Sequence, residues 1–456
     1  MVRDLTKGNA GKVLLMFALP MFIGNVFQQL YNLVDFIVVG QVVGKLGLAA
    51  IGASFAIFFL MIAVGAGMSI GISVVVSQLF GARKIGKVKE AITTALILSA
   101  AAGVLLTGIG ILISRPLLQL LDTPASFIDM SDSYLKIVFG GSLFVMMYNG
   151  ITAVYNALGD SKTPLYILMA TTVVNVGLDL LFVMVLQMSV GGAALATIIS
   201  QGISAAILMI LLKFKMRMLK SEDEAEKPQI FDKEIASKMI RIGVPSILQQ
   251  SIVSIGMMFS QNIINKCGDD FIAGVTAGFR LDSFATMPFV NISTAMSSFT
   301  GQNIGAELPD RVRRGFRAGI LTSSAIAVAV CGVLYLFGEP LLGVFLEGDT
   351  SRAAIDFGVE MLRWVSPFYV LAGIMFVVNG LLRGVGDIRY FLLCTISGLV
   401  GRIGSQYLMY FVILPPELKH LSVSLAIPIG WSISVLFGLI RYFSKKWENK
   451  RIVGIS

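Results

Sequence analysis

Residues 214–236, FKMRMLKSEDEAEKPQIFDKEIA, form the longest charged polar stretch in a chain of 456 residues. On each side lie six apolar runs of about 20 residues, the length a helix needs to cross hydrocarbon. Upstream they fall near 13–40, 48–80, 92–113, 133–155, 164–186 and 190–213; downstream near 243–265, 272–300, 316–337, 360–382, 390–413 and 420–441. Hydrophobic residues make up 56% of the chain and charged residues only 14%. An average soluble domain carries roughly 25% charged residues, so a soluble fold has nowhere to put this much apolar surface. The pattern predicts an all-α integral membrane protein with 12 transmembrane helices. An N-terminal six-helix lobe is expected over 1–213, a cytoplasmic linker over 214–236 and a C-terminal six-helix lobe over 237–456. The first 12 residues are polar and lead into a run too long for a signal-peptide core, which reads as a retained first span. Arg115 to Leu121 reads either as the end of the third span or as a short interfacial helix.

With twelve spans, the N-terminus, the even-numbered loops and the C-terminus share one side. They hold 27 of the 36 Lys and Arg, whereas the other side holds seven: Lys45, Arg115, Lys136, Lys266, Arg352, Arg363 and Lys419. Positive charge stays on the cytoplasmic face, so both termini are expected there, in the plasma (inner) membrane. The same placement accounts for the net charge of +9 without a nucleic-acid partner, leaving membrane lipids as the neighbours of the basic loops. Cys267, Cys331 and Cys394 lie far apart and suggest neither a metal site nor a disulfide framework.

The two sets of six spans look like copies. A shift of 224 positions aligns LAAIGASF (48–55) with IAGVTAGF (272–279) and SQLFGARKIGKVKE (77–90) with GQNIGAELPDRVRR (301–314). Gly159-Asp160 answers Gly386-Asp387 at nearly the same offset, and Pro20 answers Pro245. Several blocks in register point to duplication. An even number of spans per copy gives both halves the same orientation. Two six-helix bundles related by a pseudo-two-fold axis along the membrane normal are therefore expected, the framework of an alternating-access transporter. Two self-contained lobes make a functional monomer the expectation.

LPMFIGNVFQQLYNLVDFIVVGQVVGKLGLAAIG in the first two spans, SQLFGA and GQNIGA after the second and eighth, and ALGDSKTP leading into NVGLDLL resemble the multidrug and toxic compound extrusion (MATE) transporters, over essentially the whole chain. The resemblance implies a secondary active antiporter that exports amphiphilic, often cationic organic compounds in exchange for H+ or Na+, without a further cofactor. It is most like the DinF-like branch, whose N-lobe cation site uses an aspartate of span 1, an Asn and Asp of span 5 and a Thr of span 6. The matching positions are Asp35, Asn175, Asp179 and Thr197.

The residues support that assignment independently. A carboxylate within a bilayer is costly unless paired, hydrated or neutralised. Asp35 and Asp179 sit at similar depth, on the order of 8–10 Å below the outer interface at ~1.5 Å per residue. Asn175 shares the helix face of Asp179, and Thr197 descends from the same side. Such a set either binds a sodium ion through oxygen or shares protons. Taken singly, Asn175 and Thr197 are as readily explained by interhelical hydrogen bonds.

Asn25, Gln28 and Asn32 fall with Asp35 within an arc of about 80°. Gln250, Ser254 and Gln261 form a corresponding stripe on span 7, without an acidic residue. With Arg402 these are the substrate-cavity candidates. Arg280 and Asp282 are expected to pair at the end of span 8. The NorM-like branch uses a span-7 glutamate and a span-10 aspartate, and both are missing here, which argues against a second cation site. The rival readings are a lipid-linked precursor flippase of related two-lobed fold, with more spans and a basic cavity, and an intramembrane lipid-modifying enzyme. Phosphate loops and zinc motifs are absent, and His420 is the one histidine, so no catalytic residues are assigned.

Overall fold

A computed structural model describes residues 4–218, 229–346 and 351–452. The apolar runs are helical throughout. The first half contains α1 (Ala10–Val42), α2 (Lys45–Gly81), α3 (Ile85–Leu120), α4 (Ile128–Gly140), α5 (Ser142–Ala157), α6 (Lys162–Asp179) and α7 (Ser189–Met218). α4 and α5 make one span bent by 49° at Gly141, and α6 continues into a π-helical turn, Leu180–Val185. The second half contains α8 (Lys233–Ile264), α9 (Asp269–Gly305), α10 (Pro309–Phe345), α11 (Arg352–Val365), α12 (Tyr369–Val385), α13 (Ile388–Leu408) and α14 (Leu421–Phe443). α11 and α12 join through a 3-10 turn, and α13 also ends in a π-helical turn, Met409–Ile413. Among the described residues nine rods are long and apolar enough to cross a bilayer, and the bent α4–α5 pair makes a tenth. The two that complete the twelve, α9 and α13 with its π turn, are more polar. α9 buries Asn291, Ser293, Thr300, Gln302 and Asn303.

The chain forms two compact units, one built on Leu19–Ile247 and the other on Leu5–Ala18 with Leu248–Gly454. In the first, Ile57, Met61, Leu118, Leu135, Phe139 and Met146 bring α2 to α5 together, while Val38, Val39, Val183, Val190 and Ala193 form a second apolar cluster. In the second, Phe271, Phe289, Leu342, Met361, Val365, Tyr369 and Ile427 join α9 to α12 and α14. With lipid outside, helices gain from close backbone approach rather than from hydrophobic contrast. α9 and α11 illustrate it: a Cβ on Gly274 would stand 2.1 Å from the Ala354 carbonyl oxygen. Gly274→Ala is expected to force the two helices apart and cost ~1–3 kcal/mol, read as a lowered Tm of the detergent-purified protein.

Each unit carries the same backbone landmarks. Left-handed glycines precede α2 and α9 (Gly44, φ 77°; Gly268, φ 93°). Left-handed Arg83 (59°) and Glu307 (61°) follow these helices, and Gly159 (78°) and Gly386 (80°) precede α6 and α13. The aspartate after each of the last two glycines is buried. Asp160 accepts from the Thr163 backbone N–H at 3.1 Å and pairs with Lys215 of α7. Asp387 accepts two hydrogen bonds from Arg441 of α14, at 2.7 and 2.5 Å. Repeat position thus fixes backbone shape and ion pairing in both units.

One open alternative is resolved and one expectation is overturned. Arg115 to Leu121 is no separate interfacial helix: α3 runs on through Pro116 to Leu120. It is held there by the buried Leu118, by the Ser114 hydroxyl donating to Asp132 at 2.7 Å, and by an Arg115–Asp129 ion pair at 2.9 Å. Arg280 and Asp282 do not pair. Residues two apart point to different sides of a helix, so Arg280 is exposed while Asp282 accepts from the Tyr369 hydroxyl at 2.8 Å. Of the linker expected over 214–236, residues 219–228 lie outside the described residues. Its far end is tied to α3: the Gln229 N–H donates to Glu90 and the Asp232 N–H to Thr94, both at 3.0 Å, and Lys87 pairs with Asp232 at 3.1 Å. The Asp232 carboxylate then accepts from the N–H groups of Glu234 and Ile235, a cap for α8.

Candidate cation site in the first unit

α1, α6 and α7 bring Asp35, Asn175, Asp179 and Thr197 together. The Asp35 and Asp179 carboxyls converge on the amide of Asn175. Asn175, fully buried, lies between them. With its amide nitrogen turned inward it donates to Asp35 Oδ1 and Asp179 Oδ2, each at 3.2 Å, whereas the opposite orientation would set oxygen against oxygen. The Thr197 hydroxyl stands 3.5 Å from Asp35 Oδ2 and accepts from the Tyr31 hydroxyl at 2.7 Å. Asp179 is fully buried, and its Oδ1 has no hydrogen-bond partner.

Local structure explains the convergence. Asn175 and Asp179 are one turn apart on α6, and Asp179 is the last α-helical residue before the π turn, a change of pitch that commonly marks functional sites. One turn away from Asp35, Asp179 and Thr197 on their own elements, the residues Val38, Val183 and Ala193 pack into one apolar cluster. Asp179 is buried and Asp35 half-buried, and two ionised carboxylates bridged by one amide in such surroundings repel, so the pair is favoured when it shares a proton or holds a cation. A proton needs no rearrangement. A sodium ion needs oxygen ligands, which Asp35, Asp179 and Thr197 supply, and Asn175 joins them only by turning its amide. Among the described residues no group of three or more His, Cys, Asp or Glu gathers elsewhere to compete as a metal site.

Tyr31 is a site residue that the sequence reading passed over. It lies one turn before Asp35 on the same face, which is the signal that would have found it. The substrate-cavity candidates are divided between the two units, Asn25, Gln28 and Asn32 in the first and Gln250, Ser254, Gln261 and Arg402 in the second. Asn32 donates to Gln29 at 3.3 Å, Gln261 to Asn265 at 2.8 Å, and the Ser254 hydroxyl back-bonds to the Gln250 carbonyl at 3.1 Å. Asn25 is exposed, Gln28 and Gln250 are half-buried, and Arg402 stands apart on α13.

Comparison with known proteins finds relatives over both halves of the chain. The family described as MatE matches residues 20–181 and 245–408, one segment in each half. The probable multidrug resistance protein YpnP of Bacillus subtilis (strain 168) is 32% identical over 390 residues, covering 84% of either chain. YoeA of the same organism, also a probable multidrug resistance protein, is 28% identical over 454 residues, 98% of this chain and 96% of its own. A solved structure, an outward-facing multidrug resistance MATE family transporter of the MOP superfamily, superposes with a TM-score of 0.88 at 25% identity. The match covers 97% of this chain and 98% of that one.

Proposed function

Since the chain belongs to the MatE family of multi-pass membrane transporters, we propose that it is a secondary antiporter that exports amphiphilic, often cationic organic compounds against an inward flow of H+ or Na+. The observation that carries this reading is the convergence of Asp35 and Asp179 on Asn175, which bridges them, with one buried oxygen of Asp179 left without a partner. Such a site is unfavourable when empty and fully ionised, so its occupancy by a cation is coupled to conformation. Ion and substrate then exclude one another by favouring different states of the two lobes, the logic of alternating access. In this reading the transporter acts as a monomer in the plasma membrane, with both termini cytoplasmic and no cofactor beyond the coupling ion.

The test is release of a fluorescent lipophilic cation from proteoliposomes under an imposed sodium or proton gradient. One gradient is expected to drive release and thereby to name the ion. Release indifferent to both, from a protein that melts cooperatively, would sink the antiporter reading and favour lipid-linked precursors as cargo.

A further inference from the structure

Away from the cation site, the first unit carries a cavity that the antiporter reading does not use. It lies between α3 and α7, at the ends of these helices that meet the basic loops, and has a volume of about 410 Å³. One face of each helix lines it. Lys89 and Leu96 stand two turns apart on α3, and Met209, Lys213, Met216 and Arg217 succeed one another on α7 at i, i+4, i+7 and i+8. α5 packs against both helices. An added Cβ on Gly150 of α5 would stand 2.1 Å from the Ser99 hydroxyl of α3, and the Tyr155 hydroxyl of α5 donates to the Leu208 carbonyl of α7 at 3.2 Å. The two walls are thus fixed to a common support.

The charges of this cavity are all of one sign. Lys89 is half-buried, Lys213 and Arg217 are exposed, and no carboxylate lines it. Neighbouring acids are engaged elsewhere. Glu90, beside Lys89 in the chain, turns to Lys87 at 2.7 Å and to the Gln229 N–H at 3.0 Å, and Asp160 takes Lys215, the lysine between Lys213 and Arg217. Among the described residues the three lining cations have no ion-pair partner. A larger cavity in the second unit, about 830 Å³, makes the contrast: Arg352 lines it too, but is paired there with Glu339 at 2.5 Å and Asp356 at 3.2 Å.

Unpaired cations beside an apolar surface, at the rim of a membrane-spanning bundle, match a ligand that is anionic at one end and hydrocarbon at the other. Leu96, Met209 and Met216 offer the apolar side. A zwitterionic headgroup would bring its own cation against three others, with no carboxylate in the lining to receive it.

We propose that this cavity binds the headgroup of an anionic glycerophospholipid from the adjoining leaflet, with Lys89, Lys213 and Arg217 receiving the phosphate and the apolar residues receiving the first carbons of an acyl chain. In the orientation proposed above the leaflet is the inner one.

The experiment is native mass spectrometry of the full-length protein released from mixed micelles that hold dioleoyl phosphatidylglycerol and dioleoyl phosphatidylcholine in equal amounts. Wild type is expected to retain phosphatidylglycerol over phosphatidylcholine by about tenfold, and Lys89→Gln, Lys213→Gln and Arg217→Gln together to abolish most of that preference. Arg314→Gln, Arg317→Gln and Lys446→Gln remove the same charge from exposed positions of the second unit and should leave the preference nearly unchanged. If the first triple variant fails to fold, Lys213→Gln with Arg217→Gln, both at exposed positions, should still lower the preference several-fold. A wild type without preference, or equal losses in the two triple variants, would overturn the proposal. Retention that appears only after Glu222, Asp223, Glu224 and Glu226 are replaced by glutamine would overturn it too, assigning the cavity to this acidic stretch of the chain. Retention is read without a gradient, so the outcome is independent of whether the protein drives efflux.

Discussion

Asp179→Asn is expected to reduce gradient-driven dye efflux to the leak rate of protein-free vesicles, leaving the protein folded. The substitution keeps the shape of a fully buried side chain, so the packing of α6 is retained. What it removes is the charge that, in the proposed antiporter, holds the cation. A hydrogen bond or ion contact to a charged group contributes about 1.5–3 kcal/mol, equivalent to roughly 10- to 100-fold in ion affinity. Of its two oxygens only Oδ2 meets a protein donor, the Asn175 amide, and Oδ1 meets none. Asp35→Asn is expected to act in the same direction with a smaller loss, since the Thr197 and Tyr31 hydroxyls remain to hydrate or ligate the ion. Thr197→Ala, which deletes a hydroxyl alone, should cost only a few-fold at the ~1 kcal/mol of a neutral hydrogen bond. The measurement is the initial efflux rate against the concentration of the driving ion. A wild-type ion dependence in Asp179→Asn would place coupling somewhere other than this cluster.

The four members of that cluster were legible because each obeys a simple rule. Helical spacing puts Asn175 on the face of Asp179, and depth counting from the span ends levels Asp35 with Asp179 and Thr197. Tyr31 obeys the same spacing, but an aromatic on a span is ordinarily packing, and only its hydroxyl contact reveals the difference. Asp282 and Tyr369 were illegible for another reason. Tyr369 opens α12 after the 3-10 turn Ser366–Phe368, and counting residues across a broken span loses both depth and face. The pairing of Arg280 with Asp282 was expected from proximity in sequence, whereas helix geometry turns them to different sides. Loop charges hid the most. Lys215 counts towards orientation in the sequence, yet its side chain is only 15% exposed and pairs with Asp160. A topology rule weighs every basic residue alike and cannot tell a solvated charge from a buried partner.

Asp387→Asn is expected to be the most destabilising of the conservative charge changes, costing ~3–5 kcal/mol in the second unit, because it leaves a buried charge without its counter-ion. Arg441 is only 5% exposed on its side chain and lies 4.1 Å over the Tyr390 ring, so it cannot swing out to water when its carboxylate is neutralised. The same aspartate is approached at 3.5 Å by Lys450, close to Trp447, which is buried and stacked on Tyr442. Arg313 pairs with Glu448 at 2.8 Å and Arg451 with Glu307 at 2.7 Å, so loss of the Asp387 charge also loosens the segment after α14. The repeat supplies the control. Asp160→Asn removes the corresponding charge in the first unit, but the Lys215 ammonium sits on a longer, freer stem over the Tyr155 ring and can reach water more easily, so the loss is smaller. Burial alone would raise the Asp160 carboxyl, but the hydrogen bonds from Lys215 and Thr163 outweigh it and hold the group below the usual carboxylate range. Its contribution is therefore complete above the ordinary carboxylate pKa and fades as the pH falls through the lowered value, which Asp160→Asn should abolish. Thermal melts of the purified protein from pH 7 down to about pH 3 separate the two effects. Replacing Asp387 and Arg441 together by leucine and methionine should recover much of the loss, because two buried charges that need each other are then both absent. A double variant as unstable as Asp387→Asn alone would show that the aspartate acts through the start of α13 rather than through Arg441.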